Sequence, residues 1–251
     1  MAGHWTALSV TCVVAMLSIP GGVRAETHLN ALANEGERLA ALLRAGRGVV
    51  SANQDLINDS DIGDKGLDSG RFLALVDARY RETNGAGPLD GDLTAQQRAI
   101  TEAQLAAMAE VVDENQELIN TQGMGFKGFI PAVFARLVNE RFDESVGDAV
   151  RVKVTAPHEL VRNRRARPDD WEDAVIEEKF KSGDWLRGDA FFEEISDANG
   201  TTFRMLIPEY YDESCLTCHG SPAGEVDITG FPKEGRAEGD LAGAISITLR
   251  Q

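Results

Sequence analysis

Basic residues, sulfur and long apolar runs are all in short supply in this chain. Its 251 residues carry 25 Lys and Arg against 41 Asp and Glu, a net charge of −16. A surface that acidic argues against nucleic-acid backbones and anionic membranes as partners, and suits solubility or a basic protein partner. No apolar stretch after residue 25 approaches the roughly 20 residues that a membrane helix takes, so the body of the chain contains no expected span. Hydrophobic residues make up 43%, enough at this length to bury the core of one domain.

The one apolar run, residues 7–19, is followed by Pro20-Gly21-Gly22 and Val23-Arg24-Ala25. Small residues at −3 and −1 relative to a cut after Ala25, with Glu26 next, give this segment the shape of a signal peptide. Its first residues lack Lys and Arg and offer only His4, so an uncleaved anchor is the competing reading. The expectation is an exported, periplasmic protein cut after Ala25. Removal of residues 1–25 takes one arginine and no acid, moving the net charge from −16 to −17.

Cleavage also takes Cys12, leaving Cys215 and Cys218 as the cysteines of the mature chain, followed at once by His219. A thiol pair in an oxidising compartment has three common fates. A redox disulfide usually opens a helix that lowers the thiol pKa, but here Gly220-Ser221-Pro222-Ala223-Gly224 follows, which reads as loop. Structural zinc takes four ligands in paired sets, and there is no second cysteine pair; the other mature histidines are His28 and His158. Covalent haem attachment uses what is present. Two thioethers anchor the porphyrin, and the adjacent histidine reaches the iron as proximal ligand. The residues therefore point to one haem c, with Cys215, Cys218 and His219 binding the cofactor and His219 on its metal.

Apolar periodicity supplies the scaffold. Leu29, Leu32, Gly36, Leu39, Leu43, Gly46 and Val50 step by three and four, which predicts a helix within 29–58. Gly36, Gly46 and Gly48 weaken it in isolation, so it should pack closely against a neighbour. Phe72, Leu73, Val76 and Tyr80 predict a second helix over 70–83. Thr94 and Gln97 have capping-box spacing ahead of a helix running to about residue 120, and Pro131 stands where a first-turn proline would start another over 132–142. After residue 148 the period changes. Val150, Val152 and Val154 alternate with polar residues, and strands are expected over 191–195, 203–207 and 242–249, with Asn199-Gly200 marking a hairpin. A short helix over 169–181 carries Trp171, Val175 and Phe180. Helices first and antiparallel strands later make an α+β chain, here one domain over 26–251 with a helical part near 29–143 and a sheet part near 149–250.

An internal repeat runs through the helical part: VVSANQDLINDSDIGDKGL at 49–67 and VVDENQELINTQGMGFKGF at 111–129. Shared helix-end and turn chemistry is one explanation. The other is a pair of loops clamping a haem edge, with Lys65 and Lys127 near its propionates.

Three segments carry a family resemblance: GFKGFIPAVFARLVNERF (125–142), APHELVRNRRARPDDWE (156–172) and CLTCHGSPAGEVDITGFPKEGRAEGDLAGAISI (215–247). They resemble the periplasmic monohaem c-type domain with a PAS-like fold, over roughly residues 30–250. That family occurs as free secreted haem proteins, a cyanobacterial one among them, and as extracytoplasmic sensors of histidine kinases. The resemblance implies a PAS-like antiparallel sheet preceded by long helices, with Cys215 and Cys218 as attachment points and His219 as proximal ligand. In a member of known structure the distal ligand is a cysteine from the helical part, which this mature chain lacks. His158, Met124, Met205 or an open site remain as candidates. The expected role is a redox or diatomic-gas sensor or ligand-binding module, with soluble electron transfer to a redox partner as the alternative. Peroxide reduction ranks last, since no distal His-Arg pair is discernible, and the chain is read as a binding protein and not an enzyme.

Overall fold

The computed structural model describes residues 1, 21–198 and 200–250, and for 21–25 the backbone alone. Residues 2–20 of the expected signal segment therefore lie outside the described residues, and the backbone of 21–25 forms the start of the first helix. Among those described, no helix is long and apolar enough to cross a membrane.

Helix α1 (Gly21–Ala52) is the axis of the helical half, burying Leu39, Leu42, Leu43 and Val50. Its glycines stand where side chains would collide. A Cβ on Gly36 would lie 2.6 Å from Met205 Sδ, and one on Gly46 2.9 Å from the Phe134 ring. Each glycine costs about 1 kcal/mol in helix propensity, and the close approach it permits offsets that through packing. Around α1 pack α3 (Ser69–Asn84), α4 (Ala95–Glu114) and α6 (Pro131–Val146). The starts expected of α4 and α6 are the ones found, with Thr94 and Gln97 closing a capping box and Pro131 in the first turn of α6, while α3 is capped by Asp68, whose side chain accepts from Arg71 N. Phe72, Phe129 and Phe134 stack between these helices, with ring centroids 5.2 and 6.1 Å apart.

Two helices expected to run on, within 29–58 and to about residue 120, are instead broken near their ends. The breaks fall at Asn53 and Asn115, ahead of short α2 (Gln54–Asn58) and α5 (Gln116–Asn120). Each asparagine turns its side chain back on the carbonyl four residues earlier, Asn53 Nδ2 to Val49 O at 2.8 Å and Asn115 Nδ2 to Val111 O at 2.7 Å. Side chains that bond locally to the backbone compete with the helix ladder.

The second half is one antiparallel sheet of β1 (Val150–Thr155), β2 (Phe191–Asp197), β3 (Gly200–Tyr210) and β4 (Leu241–Arg250) in the order β1-β4-β3-β2. One face, with Val150, Val152, Phe203, Met205, Ile207, Ile245 and Ile247, joins the helical core. On the other, Leu206 and Ala244 meet Val175 and Ile176, from α7 (Asp170–Val175) and the wider turn that continues it to Phe180. The α+β architecture is the one expected. The hairpin loop expected over 196–200 is tighter, because Asp197 pairs with Gly200; Asn199 itself lies outside the described residues. Between β3 and β4 the chain makes a long excursion, and that excursion holds the site.

Candidate functional site

Tyr211 and the stretch just before β4 pin the two ends of this excursion together: Tyr211 N donates to Asp240 O at 3.0 Å, and Gly239 N to Tyr211 O at 2.8 Å. Asp212 then starts a turn, accepting from Ser214 Oγ at 2.6 Å and Cys215 N at 3.2 Å. One short helix, α8 (Leu216–His219), follows directly. Cys215, Cys218 and His219 are spaced i, i+3, i+4 along this turn, which puts their side chains on one face. Both cysteines are half-buried free thiols. Burial pushes both thiols above their ordinary range, reinforced by the Asp212 carboxylate at Cys215 and by Asp227 at Cys218. A reactive redox thiol needs the opposite shift.

His219 is held at its Nδ1 edge and on one ring face. Its Nδ1 lies 2.8 Å from Glu234 Oε2 and 3.5 Å from the Tyr211 hydroxyl, and the Tyr211 ring packs on the imidazole at 5.0 Å between centroids. Nε2 makes no hydrogen bond to the chain among the described residues. Burial, aided by Glu234, pushes the Tyr211 hydroxyl up to about 12, so it stays protonated.

Behind Glu234 stands Arg162, from the connection after β1. It gives Glu234 a two-pronged contact, Nε to Oε1 at 2.8 Å and a terminal nitrogen to Oε2 at 2.9 Å. The terminal nitrogen on Oε2 also donates to Cys218 O at 2.9 Å, the other terminal nitrogen donates to Asp227 Oδ2 at 2.6 Å, and Phe231 lies against the guanidinium plane at 5.4 Å. Asp227 also accepts from Thr229 N, Thr229 Oγ1 and Phe231 N. Burial alone would raise the Asp227 carboxyl, but the Thr229 and Arg162 bonds outweigh it and hold it well below the usual range. One guanidinium thus organises the whole segment after the motif.

Cys215, Cys218 and His219 all line one open cleft of about 2280 Å³ that runs back along α1 and α6. Eleven of the chain's 25 Lys and Arg line it against nine of its 41 Asp and Glu, so the cleft is far less acidic than the molecule. On its α1 side Arg44 and Arg47 share Glu209, each at 2.7 Å, and Ser51 Oγ touches Ser214 Oγ at 3.2 Å beside Cys215. Among the described residues no group of three or more His, Cys, Asp or Glu is set to hold a metal ion unaided. A haem iron, already held by its porphyrin, needs no such group. The residues present fit haem c: two protonated thiols, an imidazole with one nitrogen uncommitted, and cationic side chains for carboxylates.

The distal candidates lie elsewhere, and none lines the cleft. Met205 is buried in the core beneath Gly36, Met124 is exposed in the second glycine-rich loop, and His158 pairs with Asp173 at 3.3 Å. Lys65 and Lys127 likewise do not await propionates. Both are buried, Lys65 Nζ donating to Asp59 O and Ile62 O, and Lys127 Nζ to Ile57 O at 2.6 Å and Met124 O at 2.9 Å. The repeat is therefore a reciprocal knot. Lys65 N donates to Asn120 Oδ1 at 2.9 Å and Lys127 N to Asn58 Oδ1 at 3.0 Å, while Gln54 and Gln116 each reach the last carbonyl of the other copy at 2.9 Å.

A family model described as "Tll0287-like: Tll0287" matches residues 89–250, from ahead of α4 to the end of β4. That span includes Arg162, Tyr211, Cys215, Cys218, His219, Asp227 and Glu234 but not Arg44, Arg47 and Ser51 on the cleft's α1 side, and it starts well after residue 30, where the resemblance in the sequence begins. No curated protein and no solved structure matches the chain.

Proposed function

The chain belongs to the Tll0287-like family, and from that premise we propose that it is an exported c-type haem protein with a PAS-like sheet. Haem would be attached through Cys215 and Cys218, with His219 as the proximal ligand. One observation carries the reading: two free thiols and an imidazole share a face of one turn and open on one cleft. When bound, haem supplies one-electron exchange and a site for small ligands at its iron. The chain's own residues do the rest. Asp212 shapes the turn, Glu234 and Tyr211 hold the imidazole, and Arg44 and Arg47 keep positive charge at the cleft wall.

A redox or diatomic-gas sensor is the role the site supports best, because His158, Met124 and Met205 all lie off the cleft and leave the distal face to an external ligand. The alternative is electron transfer. It is favoured by Val226, Ile228 and Phe231, exposed on the segment after the motif, next to an otherwise acidic surface that would steer a basic partner. Binding, not turnover, is the proposed activity in both.

Co-expression with haem-maturation machinery tests this. The exported protein should start at Glu26, keep its haem through acid-acetone extraction, and lose all haem stain on Cys215→Ser with Cys218→Ser. Haem lost on extraction refutes covalent attachment. Carbon monoxide binding to the ferrous protein without displacement of a protein ligand supports the sensor, and a six-coordinate ferrous iron that excludes it supports electron transfer.

A further inference from the structure

We propose that Glu234, clamped by Arg162, is the positioning residue that locks the His219 ring as its Nδ1–H tautomer and leaves Nε2 as the one nitrogen open to a metal. The value of the arrangement rests on the haem reading, but its geometry stands without it.

A neutral imidazole has two tautomers, and the hydrogen bond made by one nitrogen decides what the other can do. At 2.8 Å, Glu234 Oε2 is a charged acceptor beside Nδ1, so the proton belongs on that nitrogen. Glu234 cannot turn away. Both its oxygens are held by the Arg162 fork, and Arg162 is fixed in turn by Asp227, by the Cys218 carbonyl and by the Phe231 ring. The contact to Cys218 O sets the register between the attachment turn and the carboxylate, since the same guanidinium touches both. Tyr211 packs on the imidazole face and limits ring rotation.

A ligand histidine whose second nitrogen donates to a carboxylate is more basic and better oriented than one facing water. An iron bound by His219 would then be more electron-rich, with its ferric form favoured and its potential lowered. Arg162 does more than fold a loop on this account, because it keeps the negative charge aimed at one ring nitrogen.

The haem-free full chain supplies the first test. Long-range nitrogen–proton correlation spectra at a pH of about 9, well above the ordinary imidazole value of about 6.5, should show His219 protonated on Nδ1. Glu234→Met, which keeps length and loses the acceptor, should return the ring to the Nε2–H form usual in water. An Nε2–H ring in the unmodified chain overturns the proposal, and that spectrum decides even if the variant does not fold. The second test uses the haem-loaded chain. Glu234→Gln, nearly isosteric but uncharged, should raise the midpoint potential and lower the ferrous iron–histidine stretching frequency. With haem attached and both readouts unchanged, the positioning role fails while the haem reading survives. An Nδ1–H ring in a chain that never takes up haem upholds the positioning and refutes the haem reading alone.

Discussion

Two regions of this molecule tie cations down, buried lysines in one and a half-buried arginine in the other, and they do so in opposite ways. In the repeat, Lys65 and Lys127 point their ammonium groups at backbone carbonyls, and both reach the carbonyl of Asp59. In the segment after the motif, Arg162 spends its planar fork on two carboxylates and one carbonyl. A lysine is a point charge with three donors, suited to close a ring of carbonyl oxygens, whereas an arginine fork imposes direction on its partners. Lys65 and Lys127 tie two helix ends together, and among the described residues neither ammonium bonds to the cysteine turn. The arginine ties the cysteine turn to the carboxylate behind His219. The same physical problem, a cation drawn out of water, is solved for stability in one place and for orientation in the other.

Removing each cation in turn is the hardest test of that contrast. Arg162→Met leaves Asp227 and Glu234 without their counter-charge, and stranding a buried charge costs about 3–5 kcal/mol. Urea unfolding should show the loss, and haem-stained yield from export should fall with it. Arg162→Lys should recover only part of both, since a point ammonium lacks the planar spread with which three guanidinium nitrogens reach both Glu234 oxygens, Asp227 and the Cys218 carbonyl. Lys127→Met is expected to cost less, about 1–3 kcal/mol, the penalty for carbonyls left without a donor. Its attached haem should have an unchanged absorption spectrum and potential. A spectral shift in Lys127→Met would restore the haem-clamp reading of the repeat and erase the difference between the two regions.

Much of the scaffold was legible because its signals are local. The cap at Thr94, the first-turn Pro131 and the alternation at Val150, Val152 and Val154 each act within a few residues. The repeat was visible as letters but not as a knot, since its bonds join Lys65 to Asn120 and Lys127 to Asn58 across more than fifty positions. The helix breaks at Asn53 and Asn115 were missed for a smaller reason: an asparagine inside an apolar stripe looks like an exposed helical residue until its side chain is seen to turn back. At the site, Cys215, Cys218 and His219 announce themselves by spacing, and the structure puts them on one face of one turn. Arg162, Asp227 and Glu234 were not singled out, although Arg162 lies in one quoted family segment and both acids in another. An ion pair spanning 65 or 72 residues leaves no mark in periodicity.

Protons give the smallest effect and the sharpest separation. The folded Asp227 carboxyl lies below its unfolded value, so its contribution is complete above the ordinary Asp range of about 3.9 and is lost as pH falls through the folded value. Lys127 is shifted down as well, by burial first and then by the Lys65 charge, but for a base that sign works the other way. The unfolded chain binds the extra proton, so the knot gains stability as pH rises toward 10.5 and is indifferent to acid, where both states are protonated. Mild acidification should therefore loosen the segment around Arg162 while the knot holds. Hydrogen exchange followed from neutral pH to about 3, corrected for intrinsic rates, reads this directly. Protection of the Thr229 and Phe231 amides, which donate to Asp227, should fall first. The Lys65 and Lys127 amides, bonded to Asn120 and Asn58, should keep theirs until the whole domain opens. If all four lose protection together, the two regions form one cooperative unit, and the division of labour between them is wrong.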